Sequence, residues 1–303
     1  MKARRIASHK LPNSDYHKPE FEGKRFFSSS QLKTMLQDPE MFHSKYILGI
    51  AEEMKQSDAL VIGSYYHAGV LEPHLLGEEF AIFDGKVRRG SAWEKFRQEN
   101  VGKDILSQAN VAVADKLIEV TLANERVQEL LQDGEPEVSF FGELDGLPCK
   151  IRFDFFGFKG YGVDLKSTGK NAKSVYDIQS SMESFNYDMS AAMYMDLYNV
   201  WAAQNNAKRM TEFYWPFASK TVGNCQVYSA TSDLIRVGRL KYKRAIQLIK
   251  EHTAAGWVFE DTVEELRPMK FVCDNWLTDS PKKEVKTYPK QQPITKSELE
   301  DLL

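Results

Sequence analysis

Cys149-Lys150-Ile151-Arg152-Phe153-Asp154 and, downstream, Val163-Asp164-Leu165-Lys166-Ser167-Thr168 are the stretches whose reading decides the fold. Both alternate polar and apolar residues with the period of a strand. In the first, Lys150, Arg152 and Asp154 share one face, and Ile151, Phe153 and Phe155 the other. In the second, Asp164 and Lys166 share a face, while Val163 and Leu165 point into a core. Just upstream, Glu137 to Glu143 reads as a strand, and Asp145-Gly146 is a hairpin turn signal leading into Pro148 to Gly157. Two carboxylates and a lysine thus meet at neighbouring strand edges, where they are expected to be exposed. Carboxylate oxygens suit a hard Mg²⁺ or Mn²⁺ ion. Such an ion can polarise a phosphodiester and acidify a bound water, and a lysine can orient that water or offset developing charge.

The flanking sequence fills in the rest. Ser28-Ser29-Ser30-Gln31 opens a helix through Leu32, Met35 and Leu36, a hydroxyl cap ahead of an apolar stripe. A second helix runs from about Ala59 to Leu71, with Gly63 and His67 one turn apart on the same face. Residues 77–105 read as strand pieces and loops around Trp93 and Phe96, and a long helix follows from Ser107 to Gln132. Beyond the third strand, Tyr161 to Ser167, come a helix from Asn186 to Trp201, strands at Glu212–Trp215 and Asn224–Ser229, and a basic helix from Asp233 to about Thr253. Residues 1–25 read as extended or poorly ordered, 26–280 as one domain, and 281–303 as a flexible tail with little to bury.

The chain has 303 residues, 42% of them hydrophobic, with 18 Phe and 13 Tyr. That supports one large core. No apolar run reaches the ~20 residues of a membrane span, and no secretory signal is visible, so the expected setting is the cytoplasm. Cys149, Cys225 and Cys273 are too few and too scattered for a four-cysteine iron–sulfur cluster or a zinc framework. The net charge of −3 does not advertise a nucleic-acid binder. Basic residues are nonetheless clustered. Arg88 and Arg89 lie close to Lys95 and Arg97, and Arg236, Arg239, Lys241, Lys243, Arg244 and Lys250 share one helix. Each cluster is either a solvated face or part of a local groove for phosphates.

The ordered set of motifs resembles the RecE-like exodeoxyribonuclease VIII family of the PD-(D/E)XK nuclease superfamily. The residues that carry the resemblance are Leu11-Pro12-Asn13-Ser14-Asp15-Tyr16-His17, Ser28 to Leu32, Asp38 to Phe42, Gly63-Ser64-Tyr65-Tyr66-His67, Leu71-Glu72-Pro73, Glu137-Val138-Ser139, and the two stretches quoted above. The resemblance implies an α/β (α+β) fold: a mixed central sheet flanked by helices, with an added N-terminal helical region. It implies a Mg²⁺ site, with Mn²⁺ able to substitute, held by His67, Asp154, Asp164 and the Leu165 carbonyl. Lys166, Glu137 and Tyr194 would complete the catalytic set. Arg88, Arg89, Arg152, Ser190, Arg236, Arg239 and Lys243 are candidates for DNA contact. Phe153 stands where the superfamily's name has proline. Ser190 stands where this group often has a glutamine four residues before its tyrosine. The implied activity is digestion of linear duplex DNA from its ends, 5′ to 3′, leaving 3′ single strands for recombination. A ring-like homo-oligomer and a single-strand annealing partner would accompany it. A structure-specific or single-strand endonuclease on the same core, or a non-catalytic DNA-binding or assembly protein, are the alternatives.

Overall fold

The computed structural model describes residues 1–50, 57–85 and 87–259. The tail expected at 281–303 lies outside them. The strands of three residues or more are β1 (Arg4–Ile6), β2 (Phe80–Phe83), β3 (Asp104–Ser107), β4 (Gly134–Leu144), β5 (Leu147–Gly157), β6 (Tyr161–Val163), β7 (Lys166–Thr168), β8 (Glu212–Ser219) and β9 (Cys225–Ser229). The longer helices are α1 (Ser29–Gln37), α2 (Asp58–Leu71), α3 (Ser91–Glu99), α4 (Gln108–Leu122), α5 (Glu125–Leu130), α6 (Val175–Ser184), α7 (Tyr187–Gln204) and α8 (Ser232–Ala254).

The main sheet runs β1-β4-β5-β6-β8-β9, with β7 also paired to β8. Its pairs are antiparallel except β6 and β7 on β8, which are parallel. This is the expected mixed sheet flanked by helices. The β4–β5 hairpin turns at Asp145 (φ +44°) and Gly146 (φ +79°). Two consecutive positive φ values make the primed turn whose twist matches the strands, and an Asp-Gly pair favours it.

Two apolar layers cover the sheet. Phe140, Ile151, Phe153, Phe213 and Trp215 pack beneath α1, α7 and α8, and Val163, Leu165, Phe155 and Ala218 pack with α2 and α4. The expected alternation along β5 therefore fails after Asp154. Phe155 joins the second layer instead of following Ile151 and Phe153, and Phe156 joins the first. The partner strand is distorted at the same level. Glu137 takes a left-handed φ of +51°, and Glu137 and Asp154 drop out of a ladder that pairs Pro136 with Phe155 and Val138 with Phe153.

Three further expectations are refined. Residues 77–105 contain a helix, α3, as well as strands β2 and β3. The helix expected over 107–132 is broken, because Asn124 turns to cap α5, its Oδ1 accepting from the Val127 amide. The N-terminal 25 residues form edge strand β1 on β4, and bury Leu11 and Tyr16. No helix among the described residues is long and apolar enough to cross a membrane.

Candidate active site

The site begins at a gap in the sheet. β5 and β6 separate beyond the Phe155–Val163 pair. On the other side, β8 faces the second stretch in a constant register, Tyr214 opposite Val163 and Phe217 opposite Lys166. Trp215 and Pro216 therefore face Asp164 and Leu165. The Asp164 amide donates to the Tyr214 carbonyl at 3.0 Å. The next bond of a parallel ladder would need an N–H from residue 216, and proline has none. The strand expected over 161–167 is accordingly divided into β6 and β7. Leu165, at the gap, is free to use its peptide groups on side chains. Its amide donates to Asp154 Oδ2 at 2.7 Å, and its carbonyl lies 3.1 Å from His67 Nε2.

His67 comes from α2, whose first turn is capped by the Ser57 hydroxyl. Its Nδ1 lies 3.4 Å from Asp154 Oδ2. Burial, reinforced by the Lys166 charge, pushes His67 down to about 4. The ring is then neutral near pH 7 and carries one proton against two oxygen acceptors. Ligand atoms of His67, Glu137 and Asp154 all lie within 4.8 Å of one another. Burial pushes Glu137 up to about 7 despite Arg152. Burial, then the neighbouring Asp164, raises Asp154 well above the carboxylate range. Crowded carboxylates, a neutral imidazole short of a proton and a carbonyl outside the ladder are together deficient in positive charge. That donor set fits a hard divalent cation.

Lys166 forms a short hydrogen-bonded ion pair with Asp164. Both side chains are largely buried, so the exposure expected of these strand-edge groups is not found. Burial opposes the Lys166 charge, but Asp164 and Asp154 outweigh it and raise the ammonium above its ordinary value. Burial likewise raises Asp164, but the Lys166 charge and hydrogen bonds from Lys166 and Asp154 hold it low. Lys166 is therefore held as a cation by these carboxylates.

His67, Glu137, Asp154, Arg152 and Tyr194 line a cleft of about 940 Å³. One wall is the N-terminal segment, including Ser8, His9, Leu11, Asn13, Tyr16 and His17. Arg152 mounts that wall. Its Nη2 donates to the Leu11 carbonyl at 2.8 Å, its Nε donates to Ser139 Oγ, and its guanidinium lies 4.3 Å from the Tyr16 ring. Lys150 donates to the Tyr16 and Lys18 carbonyls, each at 2.6 Å. Tyr194 packs edge-on against Phe153. Ser190 is buried, its hydroxyl 3.3 Å from that of Ser29.

The structure thus gathers His67, Glu137, Asp154, Asp164, Leu165 and Lys166 into one site. The candidate DNA-contact residues Arg88, Arg89, Ser190, Arg236, Arg239 and Lys243 do not line the cleft. Arg88 pairs with Asp58 at 2.6 Å, Arg236 with Asp233 at 3.4 Å, and Lys243 with Asp145 at 3.6 Å. Arg239 holds Asp196 of α7 through two bonds of 2.6 and 2.7 Å, with Tyr242 donating to the same carboxylate. Arg89 is exposed. Sequence reading left Glu72, Glu79 and His74, all on the cleft wall, without a role. Only the Leu71-Glu72-Pro73 motif pointed toward them.

No curated protein matches the chain significantly. A crystal structure of a protein from Eubacterium rectale, named as a putative exonuclease, is similar in fold. Its TM-score is 0.58 at 19% identity, over 88% of this chain and 98% of the other. The model of a PDDEXK-like domain of unknown function (DUF3799) matches residues 28–256, a span that holds the whole sheet except β1 and every acid, histidine and lysine gathered at the gap. The chain belongs to that family of PDDEXK-like domains.

Proposed function

We propose that this protein is a Mg²⁺-dependent deoxyribonuclease that degrades linear duplex DNA from its ends, with Mn²⁺ able to replace Mg²⁺. The observation that carries the reading is the convergence of His67, Glu137, Asp154 and the Leu165 carbonyl beside a buried Asp164–Lys166 pair. Asp154, Glu137, His67 and the Leu165 carbonyl would hold the cation, with Asp164 at the margin. When bound, the ion supplies Lewis-acid polarisation of the phosphodiester and acidification of a water. Lys166, kept protonated by two carboxylates, offsets charge on the scissile phosphate and orients the attacking oxygen. Asp164 fixes the lysine in place. Tyr194 stays a phenol, its ionisation suppressed first by burial, and can donate to a substrate oxygen.

Digestion from an end is supported by the N-terminal segment that walls the cleft beside the acids, and by the name of the structural neighbour. A 5′ to 3′ direction, a role in recombination, a ring-like oligomer and an annealing partner for residues 282–303 belong to the same proposal. End-labelled linear duplex and nick-free closed circles are incubated with Mg²⁺, with Asp164→Asn as the contamination control. Linear DNA is expected to be digested from its ends while circles survive. Equal breakdown of circles would make the protein an endonuclease, and wild-type inertness on both would remove the nuclease assignment.

A further inference from the structure

A second group of side chains lies beside the Asp164–Lys166 pair, and none of them lines the cleft. Lys33 projects from α1 and is half-buried. Its ammonium lies 5.5 Å from the centre of the Tyr187 ring, on whose face Lys166 also rests at 4.9 Å. Tyr187 stacks on Phe185 with ring centres 5.5 Å apart and planes at 25°. Phe185 is 59% exposed.

The charges around Lys33 are already paired with one another. The nearby groups are Lys166, Asp164, Asp188 and Lys241. Asp164 is paired with Lys166, and Asp188 with Lys241 at 2.8 Å. Lys33 has no hydrogen bond or ion pair among the described residues, so its partly desolvated ammonium has no direct partner. Burial, then Lys166, lowers the Lys33 ammonium to about 8. A half-buried ammonium without a counter-ion, next to an exposed ring with one open face, matches the two halves of a nucleotide. The phosphate completes the charge and the base covers the ring.

We propose that Lys33, Tyr187 and Phe185 form a subsite for one nucleotide of the substrate strand, Lys33 holding a backbone phosphate and Phe185 stacking against the base. The subsite rests on the nuclease reading. It deepens it by making an unpaired nucleotide the feature recognised beside the scissile bond, because a base can lie flat on Phe185 only when it is out of its duplex.

The test is fluorescence anisotropy with the full-length chain and a labelled single-stranded oligonucleotide of about twelve nucleotides, in chelator so that no hydrolysis occurs. Lys33→Met should weaken binding about tenfold and reduce the slope of log affinity against log salt by about 0.7, one phosphate contact on a single strand. Lys33→Arg should restore both. Phe185→Ala should weaken binding by about tenfold, as loss of one stacked base does, with the salt slope unchanged. Phe185→Trp should restore it. Lys173→Ala, an exposed lysine with no role here, should bind as wild type. Folded Lys33→Met and Phe185→Ala proteins with wild-type affinity and slope would overturn the subsite. So would a Lys33→Met protein that loses stability but keeps its slope, which would make Lys33 a structural anchor beside Asp188. Dissociation of an oligomer by Phe185→Ala, with binding per chain intact, would make the ring a subunit contact instead. A wild-type protein that binds no DNA would fail the nuclease reading itself, whereas the other failures leave that reading standing.

Discussion

At the scale of the residue, the site depends on groups placed where they would not rest by themselves. Glu137 holds a left-handed backbone that costs a non-glycine residue about 1–2 kcal/mol, at the register position opposite Asp154. Lys150 is almost fully buried, with its ammonium spent on two main-chain carbonyls of the N-terminal wall. Burial, then Arg152, lowers it to about 8 from an ordinary 10.5. Between those values the unfolded chain binds the proton and the folded one has released it, so stability rises with pH across that window. The expected contribution is on the order of 2–3 kcal/mol between pH 8 and 10.5. Urea midpoints at pH 7.5 and 10 measure it. The wild type should gain relative to Lys150→Met as pH rises, and parallel behaviour of the two would show that Lys150 does not titrate there.

At the scale of the element, the helices carry opposite demands on glycine. Gly63 stands one turn before His67 on α2, and a methyl group placed there would meet nothing within 4 Å. Gly63→Ala should therefore stabilise the fold by about 0.5–1 kcal/mol. Gly238 on α8 is the reverse, since a methyl there would lie 2.1 Å from the Asp188 carbonyl oxygen. Gly238→Ala must part α8 from the start of α7 and should cost more than about 3 kcal/mol, beyond ordinary overpacking. Thermal melts by circular dichroism separate the two outcomes. Helix α8 also shows what its sequence concealed. Its basic run suggested a phosphate groove, but Arg239, Lys241 and Lys243 are paired with Asp196, Asp188 and Asp145. Those acids lie at least 43 residues away in the chain, so no local charge pattern could show the pairing. By contrast, the Ser28 cap and the Asp145-Gly146 turn act within four residues and were legible. Helix α3 was not, because it buries no residue completely and only Trp93 and Phe96 touch the core, through Phe83.

At the scale of the whole molecule, the central hairpin, the long helices packed on the sheet and the acids of the sheet gap could be read from the chain. The phase change at Phe155 could not, because period-two reading assumes an undistorted strand. Lys33, Tyr187 and Phe185 were also silent in sequence, since they meet only when α1 packs beside the start of α7. The folded molecule should respond to a cation as a unit. At a hundredfold excess over its dissociation constant, an ion that binds only the folded state adds about 2.7 kcal/mol. Melts should therefore shift upward by several degrees with Mn²⁺ or Mg²⁺ in the wild type. Asp154→Asn should abolish that shift. A shift retained in that variant would move the ion elsewhere.

Pro216 gives the sheet gap a meaning in the language of selection. Valine at this buried position would bring an N–H to the ladder, and the Asp164 peptide could then be gripped as in any ordinary strand. One added main-chain bond stabilises by about 1 kcal/mol. It would also draw the Asp164–Leu165 peptide toward β8, away from His67 and Asp154. Pro216→Val is thus expected to melt higher and cut DNA more slowly. A library sorted for thermal survival would enrich it, and the same library sorted for turnover would lose it. If one variant won both sorts, the gap would be an accident of packing.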